Sequence, residues 1–213
     1  MTSHRSAPPR PLRLTPMADV PAVGPGDDLV ALLEAAARSA GIALRDGVLV
    51  VCQKIVSKAE GRTVRLADVE PSERATRIAR EDDKDPRHVE VVLRETARIV
   101  RRGHRVMICE TRHGFVCANA GVDLSNAPGA DVAVLLPVDP DGSAAALRDG
   151  LMRRGATGLA VIVSDTFGRP WREGLVDVAI GSAGIDPILD ARGGHDLAGR
   201  ELEVTTICLL YTS

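Results

Sequence analysis

Aromatic residues are nearly absent: of 213 residues, only Phe115, Phe167, Trp171 and Tyr211 carry a phenyl, indole or phenol ring. Stacking platforms for single-stranded nucleic acid need several such rings, so that class of binder is excluded. An excess of one charge is missing too. Lysine and arginine total 27 against 29 acids, a net charge of −2, which leaves no global basic field to hold a nucleic acid. No run approaches the roughly 18 apolar residues of a membrane-spanning helix, and the N-terminus lacks the apolar segment of a signal peptide. Neither membrane insertion nor secretion is expected. The four cysteines, Cys52, Cys109, Cys117 and Cys208, form no C-x-x-C pair, and three lie in apolar runs. Buried reduced thiols in a cytoplasmic protein are expected over disulfides or a zinc site. The patterns G-x-x-x-x-G-K-[ST] and G-x-G-x-x-G are absent as well, which excludes P-loop and Rossmann phosphate cradles.

What remains has a globular composition, 45% hydrophobic and 26% charged, in a length that fits one large domain or two small lobes. Residues 1–16 carry four prolines, three arginines and no acid, and are expected to be a disordered tail before a domain beginning at residue 17. Asp27 or Asp28 caps a helix whose face is Leu29, Leu32, Leu33 and Ala36, with Gly41 as its stop. Residues 48–52 form a continuous apolar run that predicts a strand buried on both faces. Two helical segments are expected over 71–100, opened by Ser72 and by Asp85-Pro86, with Val89, Val92, Leu93, Ala97 and Val100 sharing one face of the second. A hairpin is read at 105–110 and 114–118, and strands at 132–136, 159–163 and 202–210. A helix runs from the Asp139-Pro140 turn to Arg154. Hairpins mixed with strand-helix-strand units predict an α+β (mixed α/β) fold with mixed sheets and flanking helices.

Two polar segments follow apolar strands. Asn119-Ala-Gly-Val-Asp123-Leu-Ser-Asn126 puts a carboxylate and an amide in a glycine-containing turn, and Ser164-Asp165-Thr166-Phe-Gly-Arg169-Pro-Trp-Arg172 puts an Asp-Thr pair at a strand end. Carboxylate and hydroxyl oxygens suit Mg²⁺ or Mn²⁺, hard cations that bridge to substrate phosphates, although either acid could simply cap a turn. Lys58, just past the 48–52 strand, is a candidate phosphate partner or a surface lysine paired with Glu60. His113 and His195 lack metal-motif spacing and read as exposed turn residues.

Taken together, S-K-A-E-G-R at 57–62, N-A-G-V-D-x-S-N at 119–126, L-P-x-D-P-D-G-S-A at 136–144 and S-D-T-F-G-R-P-W-R at 164–172 resemble the coenzyme F420-0:γ-glutamyl ligase family. A-I-G-x-x-G at 179–184 and D-L-x-G-R-E-L-E-V-T at 196–205 extend the resemblance over residues 17–207. It implies two lobes around a metal and nucleotide cleft, and a GTP-dependent ligase that joins L-glutamate to the carboxylate of F420-0 through an acyl phosphate. It further implies Mg²⁺ or Mn²⁺ held by Asp123, Asp165 and Thr166, nucleotide contacts at Pro21, Gln53, Lys58 and Asn126, and a homodimer. Where relatives commonly show E-G-[LI]-P, this chain has Ala18-Asp-Val-Pro21, and Gln53 stands where a small hydroxyl residue is usual. The family pattern continues past Ile207 with a helix and a glycine-rich segment, whereas this sequence ends Cys208-Leu-Leu-Tyr-Thr-Ser213, so a ligase domain incomplete at its C-terminus is expected. The alternatives are a non-catalytic nucleotide- or metal-binding module, a truncated inactive ligase, and a metal-dependent phosphate-ester hydrolase using the same aspartates.

Overall fold

The computed structural model describes residues 11–103, 105–125, 131–169 and 172–210, without the side chains of Arg169 and Arg172. In chain order the elements are α1 (Leu29–Ser39), β1 (Arg45–Cys52), α2 (Gln53–Ala59), β2 (Thr63–Arg65), α3 (Glu73–Asp82), α4 (Pro86–Glu95), β3 (Thr96–Gly103), β4 (Val106–Thr111) and β5 (Val116–Ala118). There follow β6 (Val132–Val134), α5 (Pro140–Arg153), β7 (Thr157–Arg169), β8 (Arg172–Ala183), β9 (Ile188–Asp190) and β10 (Thr206–Cys208). This is the α+β class the sequence predicts. Residues 11–16 have no regular structure and are exposed; residues 1–10 of the expected tail lie outside the described residues.

Two hydrophobic cores organise the chain. The first lies under a sheet ordered β1-β7-β8, with β1 parallel to β7 and β7 antiparallel to β8. Leu33 of α1, Val56 of α2 and Leu151 of α5 pack there against Val51, Val161 and Val163. The helices keep their sequence-encoded starts: Asp28 accepts from the Ala31 N–H and Asp139 from the Gly142 N–H, each satisfying one otherwise orphaned donor. The second core joins α3 and α4 to the antiparallel sheet β3-β4-β5, through Ile78, Val89, Val92, Met107 and Cys109. The β2-β6 ribbon connects the two, Val64 and Ala133 packing with the second core.

Five expectations are corrected. Strand β1 is buried on one face only, because α1, α2 and α5 cover a single side of its sheet. Leu49 and Val51 are buried, whereas Val48 and Val50 are 51% and 58% exposed. Helix α4 stops at Glu95, where the Thr96 hydroxyl turns back to donate to the Val92 carbonyl; residues 96–100 then pair with β4 as a strand, a choice favoured by the β-branched Thr96, Ile99 and Val100. Ser164, Asp165 and Thr166 are not a loop after a strand but the middle of β7, held extended by Ala179, Val178 and Asp177 of β8. Only residues 206–208 of the expected 202–210 strand pair, with β9. All four cysteines are free, but two are exposed: Cys52 shares the uncovered face of β1, and Cys208 lies on the small β9-β10 ribbon.

Candidate functional site

Strand β1 passes directly into α2, so the first residues of that helix sit at the C-terminal end of the parallel β1-β7 pair, where α/β arrangements place ligands. Gln53 is buried there. Its Oε1 accepts from the Ser57 hydroxyl at 2.9 Å, and its side chain hydrogen-bonds the Asp165 carboxylate. One residue on, the Lys54 ammonium lies 2.5 Å from Asp123 Oδ2 and 3.0 Å from Ser125 Oγ. Sequence reasoning passed over Lys54. Its local signal, that Lys54 and Lys58 are four apart on one face of a short helix, does not point to Asp123.

Asp123 is delivered by a strained turn. Asn119, Ala120 and Gly121 have φ of +49°, +53° and +72° in succession, a left-handed conformation that costs roughly 1–2 kcal/mol at each non-glycine residue. Glycine is required at the third position, since a Cβ there would lie 2.7 Å from the Leu136 side chain. The turn is held from outside by the Lys84 ammonium, which donates to Asn119 Oδ1 at 3.2 Å. Beyond it Asp123 forms an antiparallel bridge with Val134: its N–H donates to the Val134 carbonyl at 3.0 Å and its carbonyl accepts in return at 2.8 Å. The carboxylate accepts from the Ser125 N–H at 2.7 Å and the Ser125 hydroxyl at 2.8 Å. Burial pushes Asp123 up, but the hydrogen bonds from Lys54 and Ser125 together outweigh it, so the carboxyl sits below its ordinary range.

Asp165 lies on the other wall, just beyond a register shift between Val163 and Ser164 that bends β7. Its environment has the opposite balance. Burial raises it above the usual carboxylate range, against the Thr166 N–H, the charge of Lys54 and the Gln53 hydrogen bond, while the charge of Asp123 pushes the same way as burial. The neighbouring Thr166 is exposed, and its hydroxyl donates to Asp177 Oδ1 across the β7-β8 pair at 2.7 Å. Asp177 is a second residue that sequence reasoning missed, because β8 was not foreseen.

Asp123, Asp165 and Thr166 line one cavity of about 730 Å³, together with Gln53 and Asn119. The lining also includes the apolar Val100, Ile108, Val116, Phe167 and Leu175, with Arg101 among them. Among the described residues no group of three or more His, Cys, Asp and Glu side chains comes together. The donors present are two carboxylates and one hydroxyl, all hard oxygens, and burial disfavours the ionised form of one of them. That set fits a Mg²⁺- or Mn²⁺-class ion whose remaining ligands are water and phosphate.

Of the other predicted residues, half-buried Lys58 lies in the last turn of α2, outside the cavity lining. The loop carrying exposed Pro21 runs to that same turn: the Gly26 N–H donates to the Ala59 carbonyl at 2.9 Å. Asn126 lies outside the described residues. His195 is exposed, as expected, but His113 is not a loose turn residue: its Nε2 is 3.0 Å from the Val138 carbonyl and its ring stacks on Phe115.

The sequence model of the F420-0:Gamma-glutamyl ligase family matches residues 18–210. The chain is 48% identical to the coenzyme F420:L-glutamate ligase of Methanothermobacter thermautotrophicus over 191 residues, 89% of this chain and 75% of that protein. It is 48% identical to the protein of the same name from Methanopyrus kandleri over 199 residues, covering 93% and 77%. With the one from Archaeoglobus fulgidus it shares 40% over 195 residues, covering 91% and 76%.

Proposed function

The chain belongs to the F420-0:gamma-glutamyl ligase family and is a ligase that forms an amide bond with L-glutamate; on that premise we propose that it uses GTP with Mg²⁺ or Mn²⁺ and passes through an acyl phosphate. A carboxylate is a poor electrophile, so amide formation needs activation. A carboxylate oxygen of F420-0 attacks the γ-phosphorus of GTP, the bond to the bridging oxygen breaks, and GDP leaves with the electron pair. The glutamate amine then forms the bond to the acyl carbon, phosphate departs with the C–O electrons, and the amine proton passes to solvent.

The observation that carries this reading is that Asp123 and Asp165 line one cavity, together with apolar side chains such as Val100, Ile108 and Leu175. Its volume is that of a small-molecule site. Phosphoryl transfer would occur beside Asp123, Asp165 and Thr166 as metal ligands. Held by these residues, a divalent ion would supply positive charge to offset that on the transferring phosphoryl group. Lys58, with the loop of Pro21 beside it and with Gln53 and Asn126, contacts the nucleotide. The apolar lining residues Val100, Ile108, Val116 and Leu175 receive the deazaflavin ring.

The test is incubation of the chain with GTP, Mn²⁺, L-glutamate and F420-0, following the product by mass. A mass gain of one glutamyl residue with stoichiometric GDP and phosphate supports the reading. GTP bound without turnover would favour the non-catalytic module, and GDP release independent of glutamate would favour the hydrolase. A homodimer is proposed as well, supported by the uncovered β1 face, where Val48 and Val50 stand out in solvent; sedimentation at a mass near 45 kDa, twice the 22.5 kDa chain, would bear it out. We place its action in the cytoplasm, in keeping with four free thiols; no helix among the described residues is long and apolar enough to cross a membrane.

A further inference from the structure

Lys54 is paired with one of the two carboxylates to which the proposed function assigns the metal. Its ammonium touches Asp123 Oδ2 at 2.5 Å and Ser125 Oγ at 3.0 Å, and its charge also reaches Asp165. Three features make this more than a surface ion pair. Lys54 sits on the first turn of α2, a helix anchored by buried Gln53, Val56 and Ser57, so its base is fixed. Its side chain is only 22% exposed, and that of Asp123 35%, so the pair is partly withdrawn from water and screened less than an exposed one. Its partner is also held by two hydrogen bonds from Ser125, which aim a carboxylate oxygen at the ammonium.

We infer that Lys54 is the resident counter-ion of the metal site: its ammonium occupies Asp123 when no metal is bound, and a divalent cation must displace it. The inference rests on the metal reading above. Two like-charged carboxylates in one cavity repel each other unless a cation lies near both, and Lys54 supplies that cation from within the chain. A divalent ion arriving at Asp123 meets the ammonium already there, and the repulsion between the two cations weakens binding of free metal. Nucleotide phosphate relieves the conflict, because it offers the displaced ammonium a new partner. Metal and nucleotide are then bound together in preference to metal alone.

The test uses Mn²⁺ alone as probe, titrated by calorimetry into the full chain, into Lys54→Met, which keeps most of the side-chain volume, and into Lys54→Arg, which keeps the charge. At a part-exposed site the removed positive charge is worth about tenfold in divalent-ion affinity. Lys54→Met should therefore bind Mn²⁺ about ten times more tightly than the natural chain without nucleotide, and Lys54→Arg should remain within about twofold. Adding a non-hydrolysable GTP analogue should tighten Mn²⁺ binding by a larger factor in the natural chain than in Lys54→Met. Asp123→Asn should weaken Mn²⁺ binding in either background, which locates the effect. Mn²⁺ affinity unchanged or weaker in folded Lys54→Met, with normal binding by the natural chain, would overturn the counter-ion role and leave the ligase reading standing. Failure of the natural chain to bind Mn²⁺ even with the GTP analogue would overturn the metal reading and the counter-ion role with it.

Discussion

The two walls of the cavity bring the same chemical group to the same place by opposite means. On the wall of the second core, Asp123 leaves a left-handed turn and carries its own compensation: Lys54, the Ser125 hydroxyl and the Ser125 N–H. On the wall of the first core, Asp165 stands mid-strand, where burial works against its charge and Gln53 and the Thr166 N–H only partly offset it. The former carboxylate is stabilised in its ionised form and the latter is not. Asp123 thus contributes to the fold as well as to the site, whereas Asp165 is a cost the fold bears and a cation would relieve.

That contrast is broken or sharpened by exchanging each acid for its amide. Asp165→Asn should lower glutamate ligation about a hundredfold or more, since a ligand of the transferring phosphoryl's counter-charge is gone, yet raise the melting temperature of the metal-free chain at neutral pH. Asp123→Asn should cost as much activity but lower the melting temperature, because Lys54 loses its partner. Parallel effects of the two substitutions on stability, measured by thermal unfolding with and without Mn²⁺, would dissolve the comparison.

The pH dependence carries the same signs. For Asp165 the folded form holds its proton more tightly than the unfolded chain, so its contribution to stability is full below the ordinary aspartate value of about 4 and is lost as pH rises through the higher folded value. The melting advantage of Asp165→Asn should appear over that rise. For Asp123 the folded value is depressed, so its contribution is present above about 4 and disappears as pH falls through the lower folded value. The deficit of Asp123→Asn should vanish there. Melting curves of both variants from acid to neutral pH check the two directions in one series.

Much of this arrangement could be read from sequence. The Asp28 and Asp139 caps, the start of α4 at Pro86, the β4-β5 hairpin and the aspartates themselves are local patterns, and each appears where its pattern puts it. Non-local pairing was not legible. Ser164-Asp-Thr166 is polar enough to read as a loop, and only the facing Ala179, Val178 and Asp177 keep it extended. The charged β3 has a periodicity that suits a helix, and only β4 decides otherwise. Lys54 escaped notice for the same reason, since nothing near it in sequence indicates an aspartate sixty-nine positions away.

Smaller effects refine the picture of each wall. Lys58→Ala should weaken GTP binding about ten- to a hundredfold in equilibrium titration, the loss expected of a charge-assisted hydrogen bond, with little change in unfolding. Gly121→Ala should destabilise the chain by about 1–3 kcal/mol in denaturant unfolding, because the added methyl meets Leu136 and the backbone there is left-handed. Lys84→Met should cost about 1 kcal/mol or less, by releasing Asn119 from outside the turn.

The claim beneath all of these is that Asp123 and Asp165, from separate cores, serve one metal site. It is tested most directly by counting Mn²⁺ bound at saturating GTP analogue in the natural chain and in the two Asp→Asn variants, using the electron paramagnetic resonance signal of free Mn²⁺. The account predicts that each single substitution weakens the same Mn²⁺ binding by at least about tenfold, and that the double variant is little worse than either alone. Unaltered Mn²⁺ binding in either single variant would show that the two carboxylates do not share a site.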